Sequence, residues 1–217
     1  MVVQAMGEVV VMEKSARKER EFKIRRTEIL AQAEKIFAVK GFYNVTMAEI
    51  ANASGFSIGS LYQFFEGKEH LYSSMLSEKL DLMYGQIREN VKATKGIAEK
   101  IEMIIAAHFQ FVENNADFCR LFLRGEGIHL SEVMISLREK LLDGYSQHLT
   151  FIENELKSGI KNGFLRPLSS RNMAEVLFGL IRSSAVDWML FPAKTSLGSK
   201  KDFILELFLH GVQQNEK

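Results

Sequence analysis

Small polar side chains recur at close spacing between residues 57 and 63. Ser57, Ser60 and Gln63 follow one another at intervals of three, and Gly59 lies between the first two. Residues three or four apart lie on the same face of a helix, so this set would form a polar face with little bulk. Gln can make two hydrogen bonds to adenine, Ser can donate or accept one, and a glycine lets another molecule approach the backbone closely. Such a face would suit the reading of base edges if the helix protruded into the major groove of DNA.

The same segment also matches a catalytic pattern. Residues 55–59 spell Gly-Phe-Ser-Ile-Gly, the Gly-x-Ser-x-Gly arrangement that exposes a nucleophilic serine in α/β-hydrolases. That arrangement needs a β-strand immediately before it, whereas the preceding residues have a helical pattern. The chain also contains no glycine-rich phosphate loop and no His-Glu-x-x-His sequence. We therefore expect no catalytic role for Ser57, no enzyme activity and no cofactor.

Two short helices would position the polar face. Thr46 stands three residues before Glu49, a spacing typical of a capping box that opens a helix. Gly55 is suited to the turn that ends this helix, and Ser57 is a suitable N-cap for the next one. Two short helices joined by a tight turn form a helix-turn-helix, whose second helix fits the major groove of B-DNA.

Each of these helices is also expected to have an apolar side that faces the protein core. In the second short helix we expect Ile58 and Leu61 to point inward. A longer amphipathic helix precedes the pair and ends at Gly41, and its apolar stripe is Ile29, Ala33, Ile36 and Phe37. Together these patterns predict a three-helix DNA-binding domain at residues 22–67.

The composition is that of an ordinary globular protein, with 47% hydrophobic and 25% charged residues. Apolar residues follow helical spacing almost throughout, so we expect an all-α fold. The net charge is only +1, so any basic surface must be local. Residues 14–26 hold seven Lys or Arg against two Glu, and we expect residues 1–21 to be a flexible basic leader.

Several classes of protein and site are disfavoured. No stretch reaches the roughly 18 continuous apolar residues that a membrane helix needs, and the apolar run near the N-terminus is too short for a secretion signal. The single cysteine, Cys119, excludes an intramolecular disulfide and suits the cytoplasm. The five histidines are scattered without a His-x-x-x-His pair, so no metal site is expected.

The residues around the helix-turn-helix resemble the tetracycline-repressor (TetR) family of transcriptional regulators. The resemblance covers residues 25–71, and its gapless run of matches includes Thr46, Ile50, Ala51, Ser54, Gly55, Ser57, Gly59, Ser60, Leu61, Tyr62, Phe65, Lys68 and Leu71. It implies a double-stranded DNA operator as partner, with phosphates contacted by Thr46, Tyr62 and Lys68 and bases contacted by Ser57, Gly59, Ser60 and Gln63. Glu66 departs from the family, in which basic or small residues are common at this position, so a phosphate contact there is in doubt.

Residues 68–217 are expected to form a helical domain for ligand binding and dimerisation. The helix from Asn172 and the last helix carry apolar residues on several faces, and a helix that is apolar all round is buried all round. A homodimer seam would bury them, and the resemblance implies the same, a four-helix bundle from two chains. The residues assigned to the seam are Val176, Leu177, Leu180, Ser184, Trp188, Phe203, Leu207 and Phe208.

The middle helices are rich in Phe and Met, which indicates either a well-packed core or an apolar effector pocket. The pocket residues would be Met103, His108, Phe109, Phe111, Phe118, Phe122, Met134 and Tyr145. Arg120, Arg124 and Glu126 lie close together in the chain and could meet a polar head group.

These patterns predict a ligand-responsive DNA-binding regulator. We expect a homodimer that a small apolar or amphipathic effector releases from a palindromic operator. Repression is favoured, while activation stays open. The alternative is a helical adaptor that keeps the fold without binding specific DNA.

Overall fold

The computed structural model describes residues 2–125, 131–191 and 195–212, with side chains from residue 16 onward. The described ranges contain helices and connecting turns, with no β-sheet beyond a single bridge position at Leu165. The helices are α1 Val2–Lys40, α2 Met47–Ser54, α3 Ile58–Leu61, α4 Lys68–Lys92, α5 Ile97–Asn114, α6 Ala116–Arg124, α7 Glu132–Lys161, α8 Ser170–Leu190 and α9 Lys201–Val212, with a 3-10 turn at Leu197–Lys200. The all-α prediction is confirmed.

α1 is longer than the sequence pattern predicted. The residues expected to form a leader, 1–21, fall within α1 from Val2 onward. Lys, Arg, Glu and Ala, which favour helices, are frequent there, and the ion pairs Arg17–Glu21 and Glu19–Lys23 join residues four apart. The apolar stripe that defines the first helix of the domain begins only at Ile29.

The N-terminal unit is built on a small apolar core. Each of its helices contributes side chains that are at most 2% exposed: Ile29, Ala33, Phe37, Ile50, Ala51, Leu61 and Phe65. Ile58 does not belong to this core, because its side chain is 48% exposed, and our inward assignment was wrong. α3 has a single turn, and Leu61 takes its one inward position.

The boundary between the two compact units falls within α4, between Met75 and Leu76. Our boundary at residues 67/68 lies about two helical turns earlier. The difference has a physical reason, since Leu71, Tyr72 and Met75 are buried. The ring of Tyr72 packs 5.0 Å from that of Phe37, so the start of α4 belongs to the core of the first unit.

The second unit contains the rest of α4 together with α5–α9. α7 and α8 pack along each other, and α9 and the 3-10 turn pack on α5. Within one chain α9 is not buried all round, because Phe203 is 67% and Leu207 50% exposed, and burial of these two side chains by a second copy stays a prediction. None of the described helices is long and apolar enough to cross a membrane.

Candidate nucleic-acid interface and effector cavity

Local hydrogen bonds define the helix-turn-helix. The Glu49 backbone amide donates to Thr46 Oγ1 at 3.2 Å, and the Thr46 backbone amide donates to Glu49 Oε2 at 2.8 Å. Gly55 has a φ of 74°, a left-handed conformation that suits glycine and ends α2. The Ser60 amide then donates to Ser57 Oγ at 3.1 Å, so Ser57 caps α3. The capping box and the N-cap predicted from the sequence are confirmed.

An ion pair holds the capping box to α1. Lys40 Nζ donates to Glu49 Oε1 at 2.6 Å. This hydrogen bond, together with those from Thr46, lowers the pKa of Glu49 to about 2. A glutamate is already ionised at neutral pH, so the lowered pKa extends the ionised range of the Glu49 carboxylate toward acidic pH.

The expected base-reading residues share the exposed side of α3. Ser57, Gly59 and Gln63 are exposed, while Ser60 is half-buried with its Oγ 2.8 Å from Ser57 Oγ. A Cβ added at Gly59 would have only Ser57 Oγ nearby, at 4.0 Å. The fold therefore does not require glycine at this position.

Ile58 is an exposed residue of this helix, although the sequence pattern had placed it inward. It is the first residue of α3, next to the N-cap Ser57, and 48% of its side chain is exposed. An apolar side chain here suits contact with the methyl group of thymine. Tyr62, expected to contact a phosphate, is 52% exposed, as is Tyr43 in the preceding turn at 55%.

Lys68 is engaged within the protein. Its Nζ donates to the carbonyl oxygen of Phe42 at 3.0 Å and lies 4.5 Å from the centre of the Phe42 ring. An ammonium group has three hydrogens, so the contact leaves capacity for a phosphate. Lys68 nevertheless has a structural task that the sequence did not reveal, because its partner lies 26 residues upstream.

The second unit contains an apolar cavity of about 160 Å³. It lies among α4, α5, α6 and α8, and its lining includes Leu80, Met83, Tyr84, His108, Phe111, Val112, Phe118, Cys119, Phe122, Phe178, Ile181, Arg182, Ala185 and Met189. Four of the eight expected pocket residues line it: His108, Phe111, Phe118 and Phe122. The sequence did not predict the contribution of α8. Among the described residues, Arg182 of this helix is the one charged side chain in the lining.

The other expected pocket residues lie elsewhere. Phe109 and Met134 are buried but do not line this cavity, and neither do the half-buried Met103 and Tyr145. Of the residues proposed for a polar head group, Arg120 pairs with Asp117 at 3.1 Å. Arg124 is exposed, and Glu126 lies outside the described residues.

Two buried histidines meet at the wall of the apolar cavity among α4, α5, α6 and α8, which we call the effector cavity. His108 Nδ1 lies 2.6 Å from the carbonyl oxygen of Ile104, so Nδ1 carries the proton and donates. His108 Nε2 must then accept from His148 Nε2–H, 3.0 Å away. This leaves His148 Nδ1 as a buried acceptor without a hydrogen-bond partner.

Burial keeps both rings neutral. It lowers the pKa of His108 to about 4, and together with the neighbouring His108 it lowers the pKa of His148 to about 2. The ring of His148 lies in an aromatic cluster, where it stacks on Tyr84 at 4.4 Å and meets the ring of Phe178 edge-on at 5.5 Å. Within the described residues no group of three or more His, Cys, Asp or Glu could hold a metal ion.

The expected dimer residues fall into two sets. Leu177 and Phe208 are at most 3% exposed within one chain, so they belong to the core of the subunit, and their assignment to the seam was wrong. Val176, Phe203 and Leu207 are at least 50% exposed, and Leu180, Ser184 and Trp188 are half-buried. Residues 176, 180, 184 and 188 recur every four positions, so they form one stripe along α8.

Comparison with known proteins agrees with this architecture. Residues 29–75 match the family described as bacterial regulatory proteins, tetR family, and residues 76–211 match the C-terminal region of YsiA-like proteins. The two matches meet at residues 75/76, where the structure divides. The fatty acid metabolism regulator protein of Bacillus subtilis (strain 168) is 23% identical over 186 residues, which are 85% of this chain and 94% of that protein.

Two solved structures show the same fold. FadR from Bacillus subtilis, in complex with stearoyl-CoA, has a TM-score of 0.73 at 23% identity over 85% of this chain and 98% of that chain. AibR, in complex with isovaleryl coenzyme A and operator DNA, has a TM-score of 0.65 at 16% identity over 84% of this chain and 97% of that chain. The chain therefore belongs to the TetR family of bacterial regulators and is a helix-turn-helix, DNA-binding regulator of transcription.

Proposed function

We propose that this regulator is a homodimeric repressor that acyl-CoA thioesters release from a near-palindromic operator. The observation that carries the proposal is an apolar cavity bounded by α4, the helix that continues from the DNA-reading unit. As a regulator of transcription it would act in the cytoplasm, where the DNA is. No catalytic role is proposed for Ser57, because its Oγ caps α3 and lies within hydrogen-bond distance of Ser60 Oγ.

α3 would enter the major groove with its exposed side toward the bases. Gln63 would pair with adenine, Ser57 would make a single hydrogen bond, and Ile58 would contact a thymine methyl group. Gly59 would let the helix approach closely, while Thr46 and Tyr62 would bind phosphates on either side. Phosphate contacts fix the register, whereas the base contacts give specificity.

The effector class follows from the lining of the cavity. Its walls are aromatic and aliphatic, and Arg182 offers one cation for a phosphate at the surface. The relatives that bind stearoyl-CoA and isovaleryl coenzyme A support an acyl thioester. An apolar cavity of about 150 Å³ can hold benzene, so a cavity of about 160 Å³ holds an acyl chain of about six carbons. A much longer chain would have to widen it.

Dimerisation would use the stripe of α8 formed by residues 176, 180, 184 and 188 and the outer face of α9. Val176, Phe203 and Leu207 are exposed apolar side chains of these helices, and Gly179 has open space around it. Burying such a face against a second copy removes apolar area from water, the main source of association energy. A two-fold dimer would match an operator whose half-sites lie about one helical turn apart, roughly 34–36 Å.

The test is fluorescence anisotropy with labelled DNA from the region flanking the gene for this protein. Footprinting on the same DNA would define the operator. We expect hexanoyl-CoA to weaken operator binding about 100-fold, which needs about 2.7 kcal/mol of differential affinity. Free CoA is the control and should have little effect. If acyl-CoAs of two to eighteen carbons all leave operator binding unchanged, the proposed effector class is wrong.

A further inference from the structure

A second cavity lies beside the effector cavity, between α4 and α5. Its volume is about 200 Å³, and its lining holds five carboxamide side chains: Gln86, Asn90, Gln110, Asn114 and Asn115. We call it the carboxamide groove. The described residues of its lining include no charged side chain, and its apolar part includes the buried Met83 and Phe111. Four of the carboxamides belong to exposed residues, and Asn115 is half-buried.

Met83 and Phe111 line both cavities, so the two are neighbours that share a wall. We propose that the carboxamide groove binds the amide-bearing arm of an acyl thioester whose acyl group fills the effector cavity. This inference rests on the proposed function and adds a second half to its site. Met83 has an unbranched, adaptable side chain, which suits a wall between two parts of one ligand.

The chemistry of the lining selects the class of ligand. A carboxamide offers two N–H donors and two acceptor lone pairs without a charge. Of the five, Asn115 already donates to the carbonyl oxygen of Phe111 at 2.8 Å. A groove of about 200 Å³ has room for about seven water molecules at roughly 30 Å³ each. A ligand must reproduce the hydrogen bonds of the waters that it displaces.

Amide groups meet this requirement, because they donate and accept like the carboxamides that face them. A hydrocarbon chain would leave the carboxamides without partners, and a charged group would find no opposite charge. The pantetheine arm of an acyl thioester carries two amides between the thioester and the phosphates. The sequence AAHFQFVENN already places Gln110 and Asn114 four residues apart, on one face of α5.

The test is calorimetry with two probes that have the same acyl group. One is hexanoyl-pantetheine, and the other is the S-ethyl thioester of hexanoic acid, which has no amide. Two double variants are tested. One combines Gln110→Ala with Asn114→Ala on α5, and the other combines Gln86→Ala with Asn90→Ala on α4. The residues are exposed, so the variants should fold, and Gln147→Ala on α7 is the matched control because Gln147 is exposed and lines neither cavity.

We expect each double variant to bind hexanoyl-pantetheine about tenfold more weakly, since two hydrogen bonds are lost. Its affinity for the ethyl thioester should change less than about twofold, as should both affinities of the control. The groove assignment is wrong if both groove variants bind hexanoyl-pantetheine as tightly as the wild type does. It is also wrong if a variant loses the same affinity for both probes. Neither result would contradict the proposed effector class. If the wild type binds neither probe, the proposed effector class fails, and the groove assignment fails with it.

Discussion

The substitution Gly59→Ala should affect DNA binding without impairing folding. A Cβ at this position meets nothing closer than Ser57 Oγ at 4.0 Å, and the residue has an ordinary helical backbone. Replacing glycine by alanine within a helix stabilises it by about 0.5–1 kcal/mol. The gain should be smaller here, because α3 has only four residues. Gly59→Ala should therefore fold with an unchanged or slightly higher melting temperature.

The effect on operator binding should have the opposite sign. A methyl group on the exposed side of α3 would keep the backbone from the base edges. A loss of about 1.4 kcal/mol is a factor of ten in affinity. Two copies act in a symmetric dimer, so we expect operator affinity to fall about 100-fold.

Gly85→Ala is the matched control. Gly85 lies inside α4, has no neighbour within 4 Å of an added Cβ and is absent from the proposed interface. It should raise the melting temperature by about 1–4 °C and leave operator affinity unchanged. Calorimetric melting and fluorescence anisotropy measure the two quantities. A folded Gly59→Ala protein that binds the operator like the wild type would refute the placement of α3 in the groove.

Three further predictions concern the second unit. Phe203→Asp should give a folded monomer in analytical ultracentrifugation, because Phe203 is 67% exposed within one chain. The control Leu82→Asp, on α4, should stay dimeric. A dimeric Phe203→Asp protein would contradict the α9 seam. Ala185→Phe should fill part of the effector cavity, so hexanoyl-CoA should no longer release the DNA while operator affinity stays within about twofold; normal release would exclude this cavity as the effector site. The depressed pKa values of His108 and His148 mean that the unfolded state binds more protons below pH 6.5, so unfolding free energy should fall by about 2 kcal/mol per histidine between pH 7 and pH 5. Urea titrations at both pH values check this, and His148→Phe should remove about half of the dependence.

Local features of the fold were predictable because their causes are local. Thr46 and Glu49 form their capping box within one turn, and Ser57 caps the helix that it begins. Contacts between distant segments were not predictable in this way. Lys68 bonds to a carbonyl 26 residues away, and His108 meets His148 across 40 residues.

Short or uniformly apolar helices were also ambiguous in the sequence. α3 has a single turn, so its pattern cannot show whether Ile58 points inward or outward. On α8 and α9 most positions are apolar, and only the packing distinguishes the buried Leu177 and Phe208 from the exposed Val176 and Phe203. For the same reason, four of the eight expected pocket residues line the effector cavity and four do not.

The length of α3 limits how much sequence information this regulator can extract from a genome. Four residues rise about 6 Å, which spans about two base pairs at 3.4 Å each, and side chains at the ends extend the reach to about three. Two half-sites then specify roughly six base pairs. With four possible bases at each position, such a sequence occurs by chance about once in 4,000 positions. In a genome with about 10⁶ positions, a few hundred sites would match this sequence by chance. For the proposed dimer, further discrimination would come from residues outside α3 and from the energy of deforming the DNA between the half-sites. The stiffness of that spacer would then help to determine which sites are bound.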